Sequence, residues 1–329
     1  MIARTTRGRT GIQLTVGLLS HDDTATVRVF DSLGERDPWG HLYEIGSITK
    51  TLTASLLAKH VDEGRMSLSD PLAQHLEWLD QSTYSPPLER VAAHVAGYSA
   101  TAPLTRLQYA RIILDLIRGR NQNVNPMAVS EDRFRDLAGE SKVEDRDYAW
   151  KYSNLGYALL GCAVSSAAGE DYTAAMTTYL RDDLSLLNTH VGTSPTRNLN
   201  GTTRKGDDCG NWDWSTADQQ LMRPAGAISS TADDLLKYAR IYINEQHGYL
   251  SMLLSHRANI SRHDDMALGW WLMKNDHRVI HHGGGTGSFG SFLVIDLRRG
   301  AAAVVLTNQR LGRDAERRLG QSVLQDARG

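Results

Sequence analysis

Two residues three positions apart, Ser47 and Lys50, are the first candidates for chemistry in this 329-residue chain. They lie near the start of a predicted helix in which Ile48, Leu52 and Leu56 recur at helical spacing, so both side chains are expected on one face of its first turn. A serine hydroxyl is a poor nucleophile until its proton is removed, and a desolvated lysine one turn away can remove it. The alternative is an ordinary surface serine and lysine, and further motifs are needed to decide.

A second motif, Lys151-Tyr152-Ser153-Asn154, comes just before an apolar helical segment. A tyrosine acts as a base only where nearby cations lower its pKa, and Lys50 is a candidate cation. Asn154 offers an amide that can bind a carbonyl group or hold Lys50. The alternative is a buried tyrosine beside a local helix cap.

A third motif is the run His282-Gly283-Gly284-Gly285-Thr286-Gly287, followed by a predicted strand over 288–297. Consecutive glycines beside a strand let the backbone approach a ligand closely and aim its amides at it. An oxyanion needs such preorganised N–H donors. The alternatives are a flexible turn and a phosphate loop, but a phosphate loop is followed by a helix, whereas a strand follows here.

The elements that must position these motifs are strands at both ends of the chain and helices between them. Strands are predicted over 12–19, 24–30, 267–273, 278–281, 288–297 and 301–307. Helices are predicted over 48–61, 72–79, 107–117, 154–168, 172–181, 231–243 and 313–326. Strands at the two ends have to pair to bury their faces, which predicts an α+β fold. We expect a sheet domain built from residues 1–60 and 260–329, with a mostly helical domain over 61–259 inserted into it.

The three motifs resemble, in their order and separations, those of the serine β-lactamase-like family. The resemblance is to its class C branch, with the related D-peptidases, esterases and acyltransferases. Flanking segments at 43–51, 62–71, 152–161 and 224–235 are similar as well, and the resemblance runs from about residue 11 to the end of the chain. It implies the β-lactamase/transpeptidase-like fold, in which helices flank an antiparallel sheet and the active site lies between the two domains.

The resemblance also implies a serine hydrolase that acts on a small ester, amide or peptide through an acyl-enzyme on Ser47. In that chemistry Lys50 and Tyr152 share the general base and acid work. Three other functions remain open: an acyltransferase that uses the same acyl-enzyme, a β-lactamase or D-Ala-D-Ala carboxypeptidase, and a catalytically silent binding or sensor protein.

The same resemblance assigns the binding groups. Backbone N–H groups of Ser47 and Gly285 would form the oxyanion hole, while Asn154 would contact the substrate amide or Lys50. His282 would line the site opposite the nucleophile, and Gly284 and Thr286 are further candidates for substrate contact in the same motif. No metal or organic cofactor is implied.

Two departures from the family pattern bear on the substrate. His282 stands where β-lactamases usually carry lysine, and a largely neutral histidine holds a carboxylate less well. The family's His-Thr-Ser-Gly stretch is only partly matched by His94-Val95-Ala96-Gly97. These differences favour the esterase, peptidase and acyltransferase relatives over true β-lactamases.

Composition excludes several classes of partner. A formal net charge of −2 gives no electrostatic argument for nucleic acid, and no apolar run reaches the roughly 18 residues of a membrane span. Two cysteines form no disulfide framework, and no signal peptide is recognised, so we expect a cytoplasmic enzyme with a small-molecule substrate. The oligomeric state is not determined by the sequence.

Other polar and aromatic clusters give weaker signals. Trp212 and Trp214 lie in a polar segment and are candidates for a substrate pocket, whereas Trp150 and Trp271 either line a pocket or fill the core. The histidines and aspartates between 256 and 282 do not have the spacing of a known metal-ligand set.

Overall fold

The computed structural model of the protein describes residues 2–37, 40–98, 125–192, 198–216, 220–312 and 314–326. Its α-helices, in chain order, are α1 Ile2–Thr6, α2 Thr49–Asp62, α3 Leu88–Ala92, α4 Glu131–Glu140, α5 Asn154–Ala168, α6 Tyr172–Thr178, α7 Arg223–Gly226, α8 Ala232–Ile243 and α9 Ala315–Asp326. Short 3₁₀ segments lie at Gly46–Ile48, Leu72–His75 and Gly248–Leu254, and a π-helical turn at Tyr179–Asp183 extends α6. The helix predicted over 107–117 lies outside the described residues.

The strands, in chain order, are β1 Leu14–Leu19, β2 Ala25–Asp31, β3 Gly34–Arg36, β4 Tyr43–Glu44, β5 His190–Val191, β6 Gly201–Thr202, β7 Asp208–Gly210, β8 Ile228–Ser230, β9 Ala258–Asn259, β10 Asp264–Met266, β11 Trp271–Met273, β12 Asp276–Thr286, β13 Phe289–Asp296 and β14 Ala301–Thr307. Within the described ranges, nine of them form one sheet in the order β3-β2-β1-β14-β13-β12-β11-β10-β9. Two small sheets, β4-β8-β5 and β6-β7, accompany it.

The two ends of the chain meet at the pairing of β1 with β14. This pairing is antiparallel and runs from Leu14 opposite Thr307 to Leu19 opposite Ala302. All seven residues of β14 are buried, as expected of a central strand covered on both faces. The predicted α+β fold, with an antiparallel sheet built from both ends and flanked by helices, is confirmed.

Helices cover both faces of this sheet. On one face, the side chain of Leu236 in α8 packs directly over Gly17 of β1, where a Cβ would come within 3.2 Å of it. On the other face, Leu319 and Leu324 of α9 join Phe292 and Val305 in a buried apolar cluster. Burial of these apolar side chains fixes the sheet between the two helical layers.

The larger part of the hydrophobic core lies among the helices between the two ends of the chain, which include α2 and α5. Among the described helices, none combines the length and the apolar character needed to cross a bilayer. The division into two domains at residues 60 and 260 stays a prediction.

The structure differs from the predicted strands in two places. The predicted strand over 267–273 is a turn followed by the short strand β11, because Gly269, at φ +78°, reverses the chain between β10 and β11. The predicted strand over 278–281 is longer, since β12 continues through the glycines to Thr286 and the turn begins at Gly287. The glycine motif is therefore part of the sheet rather than a loop beside it.

Candidate active site

Ser47 lies in the 3₁₀ turn that leads into α2, and its side chain is partly exposed. The turn depends on Gly46, which adopts φ +50°, a left-handed conformation that favours glycine. A Cβ at Gly46 would lie 2.5 Å from the backbone nitrogen of Gly285. The turn carrying Ser47 thus packs backbone to backbone against β12.

Lys50, one turn further on, is completely buried. Its Nζ lies 2.8 Å from Asn154 Oδ1, 2.5 Å from the Ala225 carbonyl oxygen and 3.3 Å from Ser47 Oγ. Burial lowers the pKa of Lys50 well below its usual range. Lys50 therefore meets the condition of desolvation under which a lysine one turn from Ser47 can take its proton.

Tyr152 is brought to Ser47 by the start of α5. Ser153 caps this helix by accepting the Gly156 N–H at 2.9 Å, and Tyr152 precedes the cap. Burial raises the pKa of the Tyr152 phenol, and a hydrogen bond with the Ser47 side chain opposes that rise. Its ring centroid lies 4.8 Å from Lys50 Nζ.

His94 begins the segment that only partly matches the family's His-Thr-Ser-Gly stretch, and its ring packs against that of Tyr152. Its Nδ1 accepts the Ser153 N–H at 3.1 Å, and its ring centroid lies 4.6 Å from that of Tyr152. Burial, followed by the nearby Lys50 and His282, lowers the pKa of His94 well below its usual range. The imidazole is thus a neutral packing and hydrogen-bonding partner of the tyrosine segment.

The glycines of β12 allow the strand to approach the serine turn. A Cβ at Gly284 would lie 2.0 Å from the Ile45 carbonyl oxygen and 2.9 Å from the Ser47 backbone nitrogen. Ser291, opposite Gly284 in β13, donates its hydroxyl to the Ile45 carbonyl at 2.8 Å. This contact places the backbones of Ser47 and Gly285 next to each other.

His282 is buried, and its Nδ1 lies 2.7 Å from the Gly283 carbonyl oxygen, so Nδ1–H donates to that oxygen. Burial lowers the pKa of His282 to about 3, and the nearby Lys50 adds to this effect. The expected neutral histidine is therefore what the structure supports.

Two further buried side chains are Thr286, which belongs to the glycine motif, and Glu44, which lies before the Ser47 turn. Thr286 is buried at the end of β12. Glu44 is buried, and its Oε1 accepts the Trp212 N–H at 2.8 Å. Burial raises the pKa of Glu44 to about 7.

These groups surround a cleft of about 520 Å³. Its described lining includes Ser47, Trp150, Tyr152, Trp271, His282, the glycines of β12, Arg310 and Arg317. Trp150 and Trp271 both belong to the cleft wall. Their indole rings meet edge to face, with the ring centroids 5.6 Å apart. A cavity of similar size, about 530 Å³, lies around Trp78 and Arg223 and contains none of the motif residues.

Trp212 and Trp214, the predicted pocket tryptophans, are not among the described residues that line this cleft. Trp214 is buried in the core, and Trp212 packs against it. Their rings contact each other at a centroid distance of 6.0 Å. Trp214 is buried and Trp212 is partly buried, and the role of the two tryptophans in a substrate pocket stays a prediction.

The sequence motifs did not identify Ala225 and Arg310. Ala225 contributes only its backbone carbonyl to Lys50, so no side-chain signal could reveal it. Arg310 follows the end of β14, and only the folded sheet brings it to the cleft. Several acidic and histidine residues of 256–282 contact one another or an arginine: Asp264 is hydrogen-bonded to His281 and forms an ion pair with Arg317, and Asp265 is hydrogen-bonded to His277.

Comparison with known proteins identifies a family that matches most of the chain. A model of the Beta-lactamase family matches residues 20–327. The D-alanyl-D-alanine-carboxypeptidase/endopeptidase AmpH of Escherichia coli (strain K12) is 26% identical over 320 residues, which cover 87% of this chain and 78% of AmpH.

Two solved structures share the fold at low sequence identity. The class C β-lactamase from Rhodobacter sphaeroides superposes with a TM-score of 0.75 at 19% identity, covering 95% of this chain and 94% of that one. The β-lactamase/D-alanine carboxypeptidase from Pseudomonas syringae gives 0.73 at 16% identity, covering 97% and 94%. With the family match across nearly its whole length, the chain belongs to the β-lactamase family of serine hydrolases.

Proposed function

We propose that the protein hydrolyses a small amide or peptide through an acyl-enzyme on Ser47. The observation that carries the proposal is the meeting of Ser47 and its sequence neighbour Lys50 with Tyr152, which is distant in sequence, beside a cleft that Ser47 and Tyr152 line. The similarity to AmpH, a D-alanyl-D-alanine-carboxypeptidase/endopeptidase, supports a peptide-like substrate. No observation favours acyl transfer or a silent binding role over hydrolysis.

Lys50 is the proposed first acceptor of the serine proton. A neutral amine has two N–H donors and one lone pair, and Lys50 Nζ has three oxygen neighbours. The two donors serve Asn154 Oδ1 and the Ala225 carbonyl, which leaves the lone pair for the Ser47 hydroxyl. The lowered pKa of Lys50 agrees with this neutral form.

Tyr152 is the proposed proton relay to the leaving group. It is hydrogen-bonded to Ser47, and its raised pKa keeps the phenol protonated, so it can donate a proton and recover one from Lys50. When Ser47 Oγ bonds to the substrate carbonyl carbon, the carbon–nitrogen bond breaks and the amine leaves with that proton. Water then adds to the acyl-enzyme, and Ser47 regains its proton as the ester bond breaks.

The backbone N–H groups of Ser47 and Gly285 are the proposed oxyanion donors. The close approach of the Gly46–Ser47 turn to β12 supports this role. Donors held by a helix turn and a sheet strand need no reorganisation as negative charge develops on the carbonyl oxygen.

Labelling with an uncharged fluorophosphonate tests the nucleophile. We expect one adduct per chain, at Ser47, and we expect Ser47→Ala to abolish both labelling and release of D-alanine from an N-acyl-D-alanyl-D-alanine. Ser82→Ala, at an exposed serine, is the matched control. An adduct of unchanged mass and yield in the Ser47→Ala protein would end the nucleophile assignment.

We also propose a cytoplasmic location, supported by two free cysteines, Cys162 and Cys209. Cell fractionation with antibody detection tests it. Recovery of the protein outside the cytoplasmic fraction would contradict it.

A further inference from the structure

Glu44 is a buried residue three positions before Ser47, and its carboxyl has only one of its two oxygens bound. Its Oε1 accepts the Trp212 N–H at 2.8 Å. The other oxygen, Oε2, is buried and has no hydrogen-bond partner among the described residues. Because a carboxylate without a counter-charge is costly to bury, this environment favours the protonated carboxyl. Burial accordingly raises the pKa of Glu44 to about 7.

The end of β12 supplies a partner for the unbound oxygen. Thr286 follows Gly285 in this strand, and its buried Oγ1 also has no hydrogen-bond partner within the described ranges. After burial, the Thr286 hydroxyl has the largest effect on the pKa of Glu44, which places the two side chains next to each other. A protonated carboxyl has one O–H donor, and a hydroxyl oxygen can accept it. A proton on Oε2 is therefore the group that can satisfy both buried atoms.

The other groups that face this carboxyl are uncharged. The distant loop contributes the backbone N–H of Trp212 and the side-chain amide of Asn211. In the small sheet, β8 places Ser229 opposite Glu44, and in the large sheet the pairing of β13 with β12 ends at Phe289. Among the described residues, no charged side chain contributes to the raised pKa of the carboxyl.

The ionisable side chains on the same and neighbouring elements do not neutralise it either. Tyr43 of β4 and His282 of β12 are both buried, and burial raises the pKa of the phenol and lowers that of the imidazole, so both stay uncharged near neutral pH. Lys50 of α2 has the contacts of a neutral amine. Asp213 of the loop accepts the N–H and the hydroxyl of Ser215 instead.

Glu44 and Thr286 lie on either side of the contact that holds the proposed oxyanion donors. Glu44 precedes the turn that carries Ser47, and Thr286 comes directly after Gly285, on which that turn packs. A hydrogen bond between the two side chains joins the turn to the strand. An ionised Glu44 instead places an uncompensated negative charge close to the position where the oxyanion forms, and like charges repel.

We propose that Glu44 is a positioning residue of the oxyanion hole, which joins the Ser47 turn to the end of β12 as a neutral carboxyl and slows acylation of Ser47 when it ionises. The inference rests on the proposed acyl-enzyme and adds a pH-dependent control of that same site. Since the folded carboxyl ionises near pH 7, the full rate is present below this pH and is lost as pH rises through it. A glutamine at position 44 keeps an acceptor for Trp212 and a donor for Thr286, and it stays neutral at every pH.

Two rates measured from pH 5 to 9 test the proposal. One is the second-order rate of Ser47 labelling by an uncharged fluorophosphonate, and the other is kcat/KM for N-acyl-D-alanyl-D-alanine. Neither probe changes its charge over this range, since a terminal carboxyl ionises below about pH 4. The proteins compared are the wild type, Glu44→Gln, Thr286→Val and, as a control at an exposed carboxylate, Glu77→Gln. Circular dichroism at each pH confirms that each protein is folded.

We expect Glu44→Gln to match the wild type within a few fold near pH 5 and to exceed it about tenfold at the highest pH, because the variant has no carboxyl to ionise. The ratio of variant to wild type at each pH cancels the titration of Lys50, which both proteins share. Glu77→Gln should follow the wild type throughout. Thr286→Val should move the fall in rate to higher pH, since the Thr286 hydroxyl lowers the pKa of Glu44.

A ratio of Glu44→Gln to wild type that does not change with pH overturns the proposal, and so does an equal loss of rate in that variant at every pH. If Glu44→Gln does not fold, the pH of the fall in Thr286→Val decides, and an unchanged pH contradicts the contact between the two side chains. If the wild type takes no fluorophosphonate at Ser47 at any pH, it is the acyl-enzyme function that fails.

Discussion

Lys50 is the residue whose surroundings say most about its chemistry. An ammonium ion without a counter-charge is costly to bury, so a buried lysine shifts toward its neutral form. The oxygens around Nζ belong to an amide, a backbone carbonyl and a hydroxyl, and none is a carboxylate. A site built this way favours a base over a fixed positive charge.

Replacing Tyr152 with phenylalanine separates the two proton-transfer roles. With Lys50 as first acceptor, Tyr152→Phe should lower kcat for N-acyl-D-alanyl-D-alanine about a hundredfold or more, because the amine leaving group no longer receives a proton through the relay. The acid limb of kcat/KM should remain, since activity is lost as pH falls through the pKa of Lys50 and its amine becomes protonated. Stopped-flow rates across pH, with a matched melting curve, measure both effects.

The result also distinguishes the alternative base. If phenolate Tyr152 were the base, the acid limb would disappear together with the phenol in Tyr152→Phe. Wild-type rates in this variant would remove the tyrosine from the mechanism.

At the scale of elements, the site depends on the contact between the Ser47 turn and β12. The turn is held by Gly46, and the strand is held by its antiparallel pairing with β13, from Val279 opposite Asp296 to Thr286 opposite Phe289. Each element is rigid by its own hydrogen bonds, so the distance between their amides is set by how closely they pack.

Gly284→Ala tests this packing. The new methyl group would meet the Ile45 carbonyl oxygen at 2.0 Å, so the strand and the turn must separate. We expect kcat to fall about a hundredfold or more, the cost of losing oxyanion donors. Ester hydrolysis and fluorophosphonate labelling rates measure the loss.

Gly283→Ala is the matched control one residue away. A Cβ there would come no nearer than 3.6 Å to another residue, an ordinary contact with Phe292. It should retain wild-type activity within a few fold. Equal activities of the two alanine variants would show that the close approach of β12 does not matter for catalysis.

At the scale of the molecule, Glu44 joins the segment before Ser47 to a distant loop and makes the stability of the fold depend on pH. It lies in β4, three residues before Ser47, and its buried carboxyl holds the backbone of Trp212 from a distant loop. Burial raises its pKa from 4.5 to about 7. A carboxyl with a raised pKa stabilises the fold while it stays protonated.

The predicted consequence is a pH-dependent stability difference between the wild type and Glu44→Gln. The unfolded carboxyl ionises near pH 4.5 and the folded one near 7, so this stabilisation is complete below pH 4.5 and is lost as pH rises to about 7. Across that window the variant should gain up to about 3 kcal/mol relative to the wild type. Denaturant unfolding at pH 4.5, 6 and 8 measures the difference.

Glu77→Gln, at an exposed carboxylate, is the control for the loss of a negative charge. The comparison uses differences between proteins at each pH, so titrations common to all of them cancel. A difference between Glu44→Gln and the wild type that is constant with pH would refute the buried-carboxyl account.

The sequence by itself determined the three motifs, the helices that follow Ser47 and Tyr152, and the pairing of strands from the two chain ends. These features depend on spacing along a helix, on alternation along a strand and on the need to bury apolar faces, all of which a linear pattern records. A linear pattern could not predict that β12 continues through its glycines, because glycine ordinarily indicates a turn.

Only the tertiary structure decided which other groups reach the cleft. The carbonyl of Ala225 next to Lys50, the guanidinium of Arg310 over Gly285, and the place of Trp150 and Trp271 in the cleft wall all depend on contacts between distant segments. Such contacts are set by how whole layers pack, and residue type and local spacing do not encode them. The neutral state of His282 has the same origin, since burial rather than residue type lowers its pKa.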